Sequence, residues 1–198
     1  MVTPTINVEE LLKPIPGSSP SGKNARDVRD YDSLKEARRE EEALNQGVWT
    51  RDIKVADWQK VIQVGTRILS EESKDLEVAV WLLEGLVKRH GFAGLRDGLK
   101  VLRELHTTYW DNFHPIIEDG DREIRTGRIE VLNKLLPSAI KFVPLIISPS
   151  GPGYGYWHYK ESQDIENLRR GAASDAEKRR HRRHPTNRCL TNLVKELL

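Results

Sequence analysis

The chain has 198 residues, a formal net charge of +2, 37% hydrophobic and 31% charged residues, enough apolar material for a domain-sized core in a charged exterior. Five Trp, five Tyr and three Phe exclude a disordered polymer, and a lone cysteine, Cys189, excludes an internal disulfide and fits the reducing cytoplasm. The longest apolar run, Val78 to Leu83, falls far short of the about 20 residues of a membrane span, and Met1 to Pro4 shows no secretory signal.

In chain order, Pro14 to Gly22 reads as a loop rich in Gly, Pro and Ser. Gly17 to Asn24 within it satisfies the first seven positions of the phosphate loop GxxxxGK[ST], but Asn24 stands where a Mg²⁺-binding hydroxyl is required. Pro14 and Pro16 also interrupt the strand that such a loop must follow. An ordinary turn is the better reading, with nucleotide binding as an alternative. Ser33 and Glu36 in capping-box spacing predict a charged helix from Leu34 to Leu44.

Gln46 to Trp58 is the most informative segment: two Trp nine residues apart among Arg, Asp and Lys, between two helices. Trp and Arg are favoured at interface hot spots, so Trp49, Arg51, Asp52 and Lys54 are the candidate partner-binding residues, with Trp49 as anchor. Trp58 lies on the apolar face of the next helix and is read as a core residue.

That helix begins after Asp57, a side-chain cap, and repeats apolar or small residues at Val61, Ile62, Gly65, Ile68 and Leu69. Ser73 is the expected cap of a helix from Lys74 to His90 that is apolar almost all round and exits at Gly91. Such a helix must be surrounded by others, which makes it the expected centre of the fold. A single stripe from Phe92 to Tyr109 follows, then a break from Asp111 to Gly120. Asp121 is expected to cap a helix through Leu136 closed by Pro137. Val143 to Ile147 is β-prone but holds Pro144, and Ser148 to Gly155 reads as a loop. Ser174 and Glu177 repeat the capping box near the tail.

Catalytic signatures are poor. Asp111, His114, Glu118, Asp119 and Asp121 could do acid–base work, but capping acids and a loop His explain them as well. Gly151 to Tyr156 lacks dinucleotide-loop spacing, and His181, His184 and Cys189 make a weak zinc set. No catalytic, cofactor or metal residue is assigned. From Arg169 to Arg188 eight Lys/Arg face two acids, net +6, leaving −4 for the rest. That basic tail makes a nucleic-acid-binding module the main alternative function, although Tyr159 is the last aromatic that could stack on a base. The expected fold is all-α: six or seven helices around Lys74 to His90, with a domain at 1–147 and a Gly/Pro-rich loop and weakly attached basic helical tail at 148–198.

The chain resembles the ImpA-related N-terminal domain of TssA-like proteins of the bacterial type VI secretion system. The likeness is carried by Leu11 to Gly17, Tyr31-Asp32-Ser33-Leu34, Gly47 to Lys54, Ala56-Asp57-Trp58, Ser73 to Leu76, Ala79 to Leu82, Gly91 to Leu95, Trp110-Asp111 and Asp119-Gly120-Asp121. It implies a non-enzymatic, cytoplasmic scaffold or adaptor without cofactors, binding baseplate, sheath, tube or membrane-complex proteins as the contractile tail assembles. It also implies self-association, with ring formation requiring a further C-terminal domain that this sequence does not contain.

Overall fold

The computed structural model describes residues 3–41, 53–147 and 153–183, with side chains in the last stretch described up to 172 and at 175. The described elements are mostly helical: α1 (Val8–Leu11), a 3₁₀ turn (Ala25–Asp27), α2 (Tyr31–Arg38), α3 (Trp58–Arg67), a π turn (Ile68–Glu72), α4 (Leu76–Tyr109), α5 (Glu123–Glu130), α6 (Leu132–Ile140), β1 (Pro144–Ile146), β2 (Tyr154–Gly155) and α7 (Tyr156–Arg183). β1 and β2 pair in a two-stranded sheet, an addition to the all-α expectation. Pro144 opens β1, a position where its missing N–H costs little.

Several boundaries differ from the sequence reading for identifiable reasons. Helix α2 begins at Tyr31, not Leu34, and Leu34 N–H donates to Asp30 O, so Ser33 lies inside it and no capping box forms. It stops at Arg38 rather than Leu44 because Glu41 N–H leaves the helix for Lys54 O (3.0 Å). Helix α4 is capped by Asp75, whose Oδ1 accepts from Glu77 and Val78 N–H, not by Ser73; Ser73 N–H closes the π turn on Ile68 O. Pro137 sits inside α6 instead of ending a helix, and the break falls at Val131 between α5 and α6. The second capping box starts no helix either, since Ser174 and Glu177 lie within α7. One cap is as expected, Asp57, which accepts from Lys60 N–H (3.0 Å); Asp121 accepts from Glu123 N–H (2.8 Å) but stands one residue ahead of Arg122, the N-cap of α5.

The centre of the fold is a helical hairpin. Gly91, at φ +57° and ψ −132°, reverses α4 on itself, a conformation that a side chain would strain. The limbs 76–90 and 92–109 then run back to back so closely that a Cβ on Gly94 would collide with the Leu86 backbone, and one on Gly98 with Leu83. The base of the hairpin is tied where Leu76 N–H donates to His114 O and His114 N–H to Lys74 O, both 2.8 Å.

Around the first limb the core is continuous, from Leu76 and Val78 through Val87. Against it pack Leu11, Leu34, Val61, Val64, Ile68, Leu105 and Phe113. A fully buried Leu or Phe contributes about 1.5–3 kcal/mol, so this cluster dominates the stability of the fold.

Buried charges act as ties within that core. Lys74 Nζ donates to Leu11 O (2.7 Å) and Leu69 O (2.6 Å), and Arg125 donates to Trp110 O, Phe113 O and Pro115 O while its guanidinium lies over the Phe113 ring. Arg125 thereby clamps the segment expected to break the helical pattern. The chain divides into two compact units, Met1–Pro144 and Leu145–Leu198. No described helix is long and apolar enough to cross a membrane.

Candidate protein-contact site

The residues that open and close the predicted contact segment form a stem. Asp57 N–H donates to Ala37 O (2.8 Å) and Glu41 N–H to Lys54 O (3.0 Å), so the chain leaving α2 and the chain entering α3 lie side by side. The stem stands on a firm base. Arg38 of α2 pairs with the buried Glu84 of α4 (2.5 Å) and lies over the Trp81 ring, against which Tyr31 also packs. Trp58, half-buried on the core as expected of it, closes the other side under Lys88.

Of the four candidate residues the structure describes Lys54; Trp49, Arg51 and Asp52 lie outside the described residues. Lys54 Nζ pairs with Glu36 Oε1 (2.5 Å), and Arg39 bridges Glu36 and Glu41 at 3.1 and 2.9 Å. Hydrogen bonds from Lys54 and Arg39 hold the Glu36 carboxyl down at about 2, and Glu36 in turn raises Arg39. These are permanent, mutually neutralised charges, suited to fixing a shape and ill suited to proton transfer near neutral pH. Beside them Ile53 and Val55 are exposed, Val55 at 76%. Sequence reasoning missed these two; their signal was a pair of β-branched residues alternating with Lys54 and Ala56 in a short extended stretch.

The rival sites resolve into structural roles. In the phosphate-loop lookalike, Lys23 N–H donates to Glu72 O (3.2 Å), Lys23 Nζ pairs with Glu72 (3.1 Å), Asn24 caps the 3₁₀ turn, and Ser21 is buried on Asn112. Gly22, at φ +68°, lies so near Glu72 O that no side chain fits. Those amides and that cation are committed to the protein itself.

The acidic cluster is likewise dispersed. His114 is held by the backbone at the hairpin base, with a ring nitrogen 3.2 Å from Gly22 O, Asp121 accepts from Glu123 N–H at the start of α5, and Asp119 turns the chain at φ +51°. Among the described residues no group of three or more His, Cys, Asp or Glu is placed to hold a metal ion. His184 and Cys189 lie outside the described residues, and the basic run up to Arg183 is the second half of α7.

The family described as ImpA, N-terminal, type VI secretion system matches residues 12–134, more than half of the chain and all of the hairpin and stem. Type VI secretion system component TssA1 of Pseudomonas aeruginosa is 33% identical over an alignment of 138 residues that covers 66% of this chain and 38% of that protein. The chain thus spans well under half the length of this curated relative.

The solved N-terminal domain, including the conserved ImpA_N region, of the TssA component of the type VI secretion system from Burkholderia cenocepacia superposes with a TM-score of 0.72 at 29% identity. The match covers 90% of this chain and 68% of that one. The chain belongs to the ImpA N-terminal family of the type VI secretion system.

Proposed function

We propose that this domain is a non-catalytic adaptor of a TssA-like type VI secretion component, working in the cytoplasm and docking baseplate, sheath, tube or membrane-complex proteins during assembly of the contractile tail. The helices form a bundle around the hairpin, and the loop Gly47 to Asp57 serves as its contact surface. The observation that supports this reading most directly is the stem. A connector between two helices needs neither backbone pairing across its base nor exposed Ile53 and Val55 beside a locked Lys54–Glu36–Arg39 cluster. Rigid support under an aromatic-plus-arginine segment is what a hot spot requires.

The test is capture of purified sheath, tube and baseplate proteins by the wild type beside Trp49→Ala, Arg51→Ala and Val55→Asp. At least a tenfold loss of affinity to one partner, about 1.4 kcal/mol or more, is expected for Trp49→Ala, with unchanged circular dichroism. Equal capture of every partner by folded variants would remove the segment from consideration.

A further inference from the structure

We propose that α7 is a self-association element through which two copies of this chain pair antiparallel, an inference that does not rest on the docking role of the loop Gly47 to Asp57. Within the unit Leu145–Leu198, no large apolar side chain among the described residues is buried. Ile146, Ile147, Tyr159, Ile165 and Leu168 all stand in solvent, Leu168 at 74%. The ribbon of β1 and β2 and the first half of α7 enclose an apolar groove floored by Leu145, Tyr154 and Ile165. A 28-residue helix draws most of its stability from packing, and a two-stranded ribbon is marginal alone. This unit therefore needs a cover.

Charge selects which cover. From Tyr156 to Leu168 the helix carries Glu161, Asp164 and Glu166 against Lys160. From Arg169 to Arg183 it carries seven Lys/Arg against Asp175 and Glu177. A parallel pair would set the basic halves against each other. An antiparallel pair about a two-fold axis sets the acidic, aromatic half of each copy against the basic half of the other, and does so twice. Gly171-Ala172 near the midpoint lets the two helices approach closely. An isologous contact of this kind uses what a single copy already carries, whereas any other protein would have to match an acidic and a basic half in one groove.

The test uses the full chain after nuclease treatment, with mass followed by light scattering over a hundredfold range of concentration. A species of twice 22.7 kDa that dissociates on dilution and on addition of salt is expected. One variant reverses the first half (Glu161→Lys, Asp164→Lys, Glu166→Lys) and another the second half (Arg179→Glu, Arg180→Glu, Arg182→Glu). Each alone is expected to lose self-association at least tenfold while keeping wild-type circular dichroism. Mixed in equal amounts, they are expected to form a one-to-one heterodimer, because the basic first half of one variant then meets the acidified second half of the other while the untouched halves meet as in the wild type. A chain that stays at 22.7 kDa throughout, reversed variants that associate like the wild type, failure of the mixture to pair, or association that disappears with the nuclease step would each overturn the proposal.

Discussion

Lys74 keeps its ammonium out of water altogether, with 0% of the residue exposed, between the carbonyls of Leu11 and Leu69 and with the Tyr109 ring 5.7 Å from Nζ. Those partners favour the charged form, but desolvation prevails and pushes the amine down to about 8. Between pH 8 and the ordinary lysine value of 10.5 the unfolded chain therefore binds more protons than the folded one, and stability rises with pH through that window. From the ordinary tyrosine value of 10.0 upward an opposing contribution sets in, since burial raises the hydroxyls of Tyr31 and Tyr109 and the unfolded chain gives up those protons first. Lys74→Met leaves two buried carbonyls unpaired and is expected to cost about 1–3 kcal/mol at pH 7 in urea unfolding. The variant is also expected to lose the gain in stability between pH 8 and 10. A variant that retains that slope would assign it to another group.

At the scale of elements the hairpin within α4 makes a prediction of opposite signs for one kind of substitution. Gly98→Ala places a Cβ against the Leu83 side chain and 3.0 Å from its Cα, so the limbs must part. Overpacking of this kind costs about 1–3 kcal/mol. Gly127→Ala, inside α5 with nothing within 4 Å of the new carbon, is expected to stabilise by about 0.5–1 kcal/mol through helix propensity. Thermal unfolding of both variants checks the pair, and equal effects would mean that the limbs are not in close contact.

The first limb was legible in the sequence because an all-round apolar run ending in Gly leaves few alternatives, and Asp57 was legible as a cap because its partner lies three residues on. Features set by distant chain were not. Asp75 rather than Ser73 caps α4 in register with the pairing to His114, and α2 ends early because Glu41 meets Lys54. Arg125, in a charge-rich helix, carried no sequence signal of burial, because the carbonyls that hold it come from the 110–115 segment. At the candidate site Lys54 was readable as a polar member of the segment, but its lock to Glu36 across 18 residues was not.

On the scale of the whole molecule the two units are held by different means. Among the described residues every buried hydrophobic side chain lies between Val8 and Val143, in the unit that contains the hairpin, whereas the unit after Pro144 exposes its apolar residues. Free energy of local opening follows buried contacts, so amide exchange must be heterogeneous along the chain. Amides of the limbs 76–90 and 92–109 are expected to exchange only by global unfolding, at a rate independent of protein concentration. Amides of α7 are expected to exchange within an order of magnitude of the open-chain rate in dilute solution and to gain protection as concentration rises, since pairing with a second copy would supply the contacts that its own unit lacks. Hydrogen-exchange mass spectrometry at two concentrations separates these behaviours peptide by peptide. Protection of α7 equal to that of the hairpin and insensitive to concentration would show that a single copy already covers this helix, and it would remove the reason for the chain to pair.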